Sequence, residues 1–325
     1  MFTEPGRGKA KIGVLAGGFS AERDISLKSG RAVLDALLSR GLDAFLVDIE
    51  GELQKAPDWL KDIDVAFIAL HGSYGEDGRI QDYLDQRRVA YTGSGPRASA
   101  RAMDKIDSKT SFKRAGLKVP SYVLLKSGVN VRAEGLVLPC VIKPASEGSS
   151  IGLTVVHDKG QIKGAVREAL ESGGPVIAEE YIYGRELTVG VLGEEALPVV
   201  EIISESGVYD YRAKYESSGT FYSAPADLVP ELDSKCREAA LIAHRSLGCR
   251  GFSRTDMRLT PDGQVYVLEV NTIPGLTRRS LLPMSAGAAG IDFGELCIRM
   301  IYESLPPGER FDILRRYYQA MSKKT

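Results

Sequence analysis

Residues 254–272, RTDMRLTPDGQVYVLEVNT, contain two strand-like runs around an Asp262-Gly263 turn signal. A hairpin centred between Asp262 and Gly263 pairs residues whose numbers share one sum, so Asp256 faces Glu269 and Arg254 faces Asn271. Strand side chains alternate faces with period two. Arg254, Asp256, Glu269 and Asn271 are therefore expected on one face, with Tyr266, Leu268 and Val270 on the other. Like charges directly opposite each other destabilise a sheet, so an Asp facing a Glu requires a cation or open water. Two carboxylates and an amide are hard oxygen donors of the kind Mg²⁺ prefers, with water or phosphate completing its shell. A solvated acidic surface is the alternative, and phosphate-binding parts elsewhere in the chain would argue against it.

Outward from the hairpin, the composition is that of an ordinary globular protein: 325 residues, 43% hydrophobic and 26% charged, enough for two or three domains. A formal net charge of -1 gives no general attraction to nucleic acid or to an anionic membrane, and no basic run is interleaved with aromatics. Small-molecule chemistry is favoured. Cys140, Cys236, Cys249 and Cys297 lack CxxC spacing, which fits reduced, buried thiols and a reducing cytoplasm. With no signal-like apolar start and no run of about eighteen apolar residues, neither export nor membrane insertion is expected.

The first stretch alternates short apolar strands (KIGVLAGG, DAFLVDI, DVAFIALHG, VAYTGSG) with helical periods. Such alternation predicts a Rossmann-like parallel sheet with covering helices over residues 1–98. One helix is expected through SARAMDKIDSKTSFKRAG, ending near Gly116. Residues 99–185 then read as an α+β unit, and residues 186–325 as a second one that carries the hairpin. The closing RRYYQAMSKKT reads as a basic surface end.

VIKPASEGSSIG, residues 141–152, sets Lys143 at a strand end before a loop containing Gly148, Ser149, Ser150 and Gly152. Backbone N–H groups and hydroxyls in such a loop can hold phosphate oxygens, although the motif is not a Walker A sequence. AEEYIYGRE supplies Glu179, Glu180, Tyr181, Ile182 and Glu186, a strand where a nucleotide base could meet backbone and Glu186 could reach ribose hydroxyls; an acidic linker is the plain alternative. With Lys105 in AMDKIDSK, the order is two phosphate lysines, a loop, a base-and-ribose strand and a metal hairpin. GSGPRA at 93–98 fits the dinucleotide fingerprint but lies away from the first strand-helix turn, which argues against NAD. There is no G-x-S-x-G elbow, and His157 and His244 read as structural.

With these pieces in place the chain resembles the ATP-grasp superfamily and, within it, the D-alanine–D-alanine ligases. The resemblance rests on LAGGFSAERDISLKSG at 15–30, HGSYGEDGRIQ at 71–81, YTGSG at 91–95, AMDK at 102–105, VIKPASEGSSIG at 141–152, YDYRAKY at 209–215 and LEVNTIPGLTRRSLLP at 268–283. It implies an ATP-grasp fold behind the Rossmann-like region, a homodimer built largely through that region, and a cytoplasmic ligase acting on D-alanine and ATP. It assigns Lys105 and Lys143 to ATP phosphates, with Ser149, Glu179 and Lys214 beside the nucleotide, and Glu180, Tyr181, Ile182 and Glu186 to adenosine. Asp256, Glu269 and Asn271 correspond to ligands of two Mg²⁺ ions, which Mn²⁺ could replace. Glu22 is assigned to the first substrate's ammonium group, supported by Ser150 and Tyr215. Arg254 and the Gly275 N–H are assigned to the oxyanion, Ser280 and Leu281 to the second carboxylate, and His71 to a further polar position. A lid over Ser149 and Ser150 would exclude water.

The chain departs from its relatives at Ser253, where Gly is often found before the Arg, and at MRL, 257–259, where an apolar pattern is commoner. A ligase with another acceptor, such as D-lactate, and a non-catalytic nucleotide sensor are the competing functions. Retention of the full polar set at 254, 256, 269 and 271 argues against the sensor.

Overall fold

The computed structural model describes residues 10–125, 136–148, 151–204 and 219–306. Strands β1 (Lys11–Gly17), β2 (Asp43–Ile49), β3 (Val65–Ile68) and β4 (Ala90–Tyr91), with helices α1 (Arg23–Ser39) and α2 (Arg79–Gln86), form the first layer. Its sheet has the order β2-β1-β3-β4 and every neighbouring pair is parallel. The expected parallel α/β unit is therefore present. β3 is buried at all four positions, because helices cover both faces of a parallel sheet and a continuous apolar run replaces alternation.

The single helix expected from Ser99 to near Gly116 is two: α3 (Pro96–Met103) and α4 (Lys105–Arg114). Asp104 makes the break, since its backbone is extended and its side chain accepts the N–H groups of Ile106 at 2.8 Å and Asp107 at 3.1 Å. Lys105 thereby becomes the first residue of α4, and Lys109 follows one turn later on the same face.

β5 (Tyr122–Leu125), β6 (Cys140–Pro144), β7 (Thr154–Val156), α5 (Ile162–Leu170) and β8 (Val176–Glu180) make an antiparallel sheet of order β5-β8-β6-β7. Its core joins Ile142 and Val176 to Ile162, Ala165 and Ala169 of α5.

β9 (Arg185–Leu192), β10 (Glu195–Ala196), β11 (Val200–Ser204), β12 (Thr220–Ser223), α6 (Pro230–Leu247), β13 (Phe252–Leu259), β14 (Val265–Asn271), α7 (Leu281–Ala288) and α8 (Phe293–Ser304) complete the described elements. The third sheet runs β12-β11-β9-β13-β14 with β10 on β9. Behind it lies α6, with Pro230 in its first turn and Gly248 as a left-handed cap. Small residues Ala239, Ala240 and Ala243 let α6 approach Val189, Met257 and Val267 closely. A separate core joins Ile12, Val14 and Leu37 of the first layer to Leu282 of α7 and Leu296 of α8, which fixes that layer against the third sheet.

The hairpin reaches the expected pairing by an unexpected route. Thr260 and Gln264 close a three-residue loop in which Gly263 has φ +75°, so the pairs next to the turn are offset by one residue: Leu259 with Val265 and Met257 with Val267. A bulge between Asp256 and Met257 then restores Asp256 opposite Glu269 and Arg254 opposite Asn271. The expected facing of Tyr266, Leu268 and Val270 is corrected by the same offset. Val270 joins the core behind the sheet, whereas Leu268 lines the front beside Glu269 and Tyr266 pairs with Arg258.

Candidate active site

A cavity of about 840 Å³, including its mouth, opens between the two antiparallel sheets. Val141, Val155, Ile182 and Leu268 give it apolar walls, while Lys105, Lys143, Glu179 and Glu186 bring charge. Apolar walls beside convergent charged groups suit a ligand with both an apolar and an anionic part, such as a nucleotide. Lys143 on β6 stands 2.9 Å from Glu179 of β8, and Lys109 stands 3.0 Å from the same carboxylate. Lys109 also donates to the Leu268 carbonyl at 3.2 Å, so it ties β8 to the bulge of β14. Lys105 donates to the Glu147 carbonyl and lies 3.6 Å from Glu269.

The electrostatics follow from burial set against pairing. Burial pushes the Glu179 carboxyl upward, but Lys109 and Lys143 outweigh it and leave Glu179 below the usual carboxylate range. Burial pushes Lys109 down to about 8 and also lowers Lys105. Lys143 is subject to the same burial, yet Glu179 and Glu269 reverse its effect and raise it.

On the front of the hairpin, Asp256 takes Arg254 Nε at 2.8 Å and Nη2 at 2.7 Å, Thr188 Oγ1 at 2.6 Å and Asn271 Nδ2 at 3.0 Å. Thr188 is its register partner on β9, as Glu269 is on β14. Among the described residues no three His, Cys, Asp or Glu side chains cluster as a metal site. Asp256, Glu269 and Asn271 offer two carboxylates and one amide oxygen, a partial oxygen shell of the kind Mg²⁺ accepts when phosphate supplies the remainder.

A second cavity, of about 1000 Å³ including its mouth, lies beyond Arg254 and Asn271, which line it. Its other parts come from chain breaks rather than strand centres. Glu22 is the buried residue preceding α1. His71 meets Ser29 Oγ through Nε2 at 3.0 Å and the Ile273 carbonyl through Nδ1 at 3.2 Å. Glu76 accepts the Gly72 N–H at 2.9 Å. Ser280 precedes α7, and its Oγ accepts the Thr277 N–H at 3.1 Å. Leu281 is the first residue of that helix, whose N-terminal N–H groups suit a carboxylate. Gly275 keeps the wall close: a Cβ there would lie 2.9 Å from Ser280 Oγ. A smaller pocket, lined by Lys105, Glu147, Gly148, Glu269 and Asn271, lies between the two.

The sequence-predicted residues thus divide between the cavities. Lys105, Lys143, Glu179, Glu180, Tyr181, Ile182, Glu186, Asp256 and Glu269 line the first. Glu22, His71, Arg254, Asn271, Gly275, Ser280 and Leu281 line the second, together with Arg279. Ser149, Ser150, Lys214 and Tyr215, and with them the expected lid, lie outside the described residues. Sequence reasoning missed Lys109, Thr188, Glu76, Glu147 and Arg258. The four-residue spacing from Lys105 could have found Lys109, and register with Asp256 could have found Thr188 only after β9 and β13 were known to be neighbours.

Comparison with known proteins identifies the family. Residues 112–302 match the family described as D-ala D-ala ligase C-terminus, and residues 48–94 match D-ala D-ala ligase N-terminus. A D-alanine--D-alanine ligase of Nitrosomonas eutropha is 48% identical over 298 residues, spanning 91% of this chain and 97% of that protein. The Bordetella petrii D-alanine--D-alanine ligase is 45% identical over 300 residues, 90% of this chain and 92% of that one. Among solved structures, a D-Ala:D-Ser ligase from Enterococcus faecalis has TM-score 0.80 at 31% identity, covering 92% of this chain and 100% of that one. A D-alanine--D-alanine ligase from Bacillus anthracis complexed with ATP has TM-score 0.78 at 32% identity, covering 95% and 99%.

Proposed function

The chain belongs to the D-alanine–D-alanine ligase family, and from that premise we propose that it joins two D-alanines into D-alanyl-D-alanine for peptidoglycan synthesis, converting ATP to ADP and phosphate. The observation that carries this proposal is the meeting of two cavities on one hairpin face. Charged lysines and Glu186 line one cavity, Glu22 and a helix N-terminus line the other, and Arg254, Asp256, Glu269 and Asn271 stand at their junction.

A carboxylate resists attack by an amine until it carries a leaving group. The first D-alanine carboxylate attacks the γ-phosphorus, ADP departs, and an acyl phosphate forms. The second D-alanine amine then attacks the carbonyl, the tetrahedral intermediate expels phosphate, and the amine's proton leaves to solvent or a nearby base. Lys105 and Lys143 hold the phosphates, with Ser149 and Lys214 beside them, as charges that neutralise the transferring group. The Glu180–Ile182 backbone and Glu179 receive adenine, and Glu186 receives the ribose. Glu22 binds the first ammonium group with Ser150 and Tyr215 in support, His71 flanks it, and Ser280 with Leu281 takes the second carboxylate. Arg254 and the Gly275 N–H stabilise the oxyanion, each such donor being worth about 3–4 kcal/mol in a water-poor site. Asp256, Glu269 and Asn271 would hold two Mg²⁺ ions, or Mn²⁺ in their place. Such ions supply charge neutralisation at the β- and γ-phosphates.

We assign residues 1–98 to a Rossmann-like unit, 99–185 to a central unit and 186–325 to a C-terminal unit, and we infer a cytoplasmic homodimer. No single helix among the described residues is long and apolar enough to cross a membrane, and an ATP-consuming precursor enzyme needs the cytoplasmic nucleotide pool. Phosphate release measured with ATP, Mg²⁺ and D-alanine tests the function. Release that depends on D-alanine and matches dipeptide formation is expected; release independent of D-alanine would contradict it. D-Lactate and D-serine offered as second substrates check the acceptor, and D-alanine is expected to be preferred.

A further inference from the structure

Arg258 lies on β13, and its side chain lines the proposed nucleotide cavity. The register of β13 on β9 sets it opposite Glu186. Its Nη2 lies 2.8 Å from Glu186 Oε2, and its Nη1 donates to the Gly184 carbonyl at 3.0 Å. Both side chains are largely buried, at 10% exposure for Arg258 and 15% for Glu186. The guanidinium also stands 5.7 Å from the Tyr181 ring centroid. Gly184 has φ +146°, and a Cβ there would lie 2.1 Å from the Leu259 carbonyl oxygen, so the backbone before β9 is pressed against β13 beside Arg258.

These contacts converge on one task. A glutamate lining a cavity has several rotamers to lose before it can accept two ribose hydroxyls, and a planar guanidinium holding one of its oxygens removes that cost in advance. An apolar residue at 258 could pack under the base but could not orient the carboxylate. We propose that Arg258 is a positioning residue for nucleotide selectivity, holding Glu186 and the Tyr181–Gly184 backbone so that the enzyme distinguishes a ribonucleoside triphosphate from its deoxy analogues.

This proposal rests on the assignment of Glu186 to the ribose, and the test separates the two. KM values for ATP, 2′-deoxy-ATP and 3′-deoxy-ATP are measured for the native enzyme, Arg258→Met, Arg258→Lys and Glu186→Gln. In the native enzyme the less favourable deoxy analogue is expected to show a KM raised at least about tenfold, the worth of a hydrogen bond to a charged group. Arg258→Met should raise the KM for ATP while bringing the deoxy-to-ATP ratio close to one, with kcat and the D-alanine KM within about twofold. Arg258→Lys keeps the charge without the fork and should restore only part of the ratio. A simple packing role would raise all three KM values together and leave the ratio intact, which would overturn the proposal. If Glu186→Gln itself keeps the native ratio, the ribose assignment fails and the proposal falls with it. If Glu186→Gln loses the ratio while both Arg258 variants keep it, only the role of Arg258 is refuted.

Discussion

The proposed nucleotide cavity and the proposed amino-acid cavity share the face of one hairpin but are built from opposite kinds of parts. The first is walled by strands and one helical turn, and its charges are locked into pairs: Lys109 and Lys143 on Glu179, Arg258 on Glu186, Lys105 near Glu269. The second is assembled where chain direction changes, at the residue before α1, at residues 71–76 and at the start of α7. Strands fix charges relative to one another and suit a ligand whose own charges never vary. Helix starts expose backbone N–H groups, which recognise the carboxylate end of an amino acid whatever its side chain. On the proposed assignment, the difference implies that affinity for the nucleotide rests on buried pairing, while choice of amino acid rests on how segments distant in sequence meet.

The strongest way to break the contrast is to remove a member of the buried pairing. Lys109→Met leaves Glu179 with Lys143 alone and should cost about 3–5 kcal/mol of stability in denaturant unfolding. The double variant Lys109→Met with Glu179→Leu should not recover that loss, because the buried Lys143 then loses the carboxylate it is paired with. At the shared wall, Arg254→Ala should lower kcat by about 10²–10³, with the ATP KM changed by much less. Equal losses in ATP binding would show that Arg254 serves the nucleotide instead.

His244 tests the scaffold behind the hairpin. Its ring lies 2.7 Å from Ser253 Oγ, and burial holds its pKa down to about 4. In the unfolded chain the same ring titrates near its ordinary 6.5, so the unfolded state takes up the proton first. The stabilising contribution is complete above that value and is lost as pH falls towards 4, by about 3 kcal/mol in all. Unfolding followed across this window should be steeper in pH for the native protein than for His244→Gln. The smallest effect is expected at the far cavity. Glu22→Gln should raise the D-alanine KM about 10- to 100-fold, the loss of a charge-assisted hydrogen bond, and leave the ATP KM unchanged.

The sequence carried more of the first cavity than of the second. Period-two alternation and one turn were enough to bring Asp256, Glu269, Arg254 and Asn271 together, although the pairing survived only because the three-residue loop and the bulge at Leu268 cancel. The facing of Leu268 and Tyr266 was not legible, since a bulge is a tertiary compromise with no fixed sequence mark. The split between α3 and α4 was carried by Asp104, a good cap residue concealed inside an apparently continuous helical period. Nothing local links Glu22, His71 and Ser280, which lie in separate parts of the chain. Their grouping came from family resemblance, because the packing of α7 and α8 on the first layer that joins them is a long-range core event. Arg258 was visible as a departure from pattern, but its partner Glu186 emerges only from the β9–β13 register.

Both cavities are proposed to serve one reaction, joined by an acyl phosphate. Incubation of the enzyme with ATP, Mg²⁺ and D-alanine labelled with ¹⁸O in its carboxylate tests it most directly. The phosphate released is expected to carry one ¹⁸O for each dipeptide formed, since the oxygen that attacks the γ-phosphorus leaves with it. Dipeptide formed with unlabelled phosphate would contradict it.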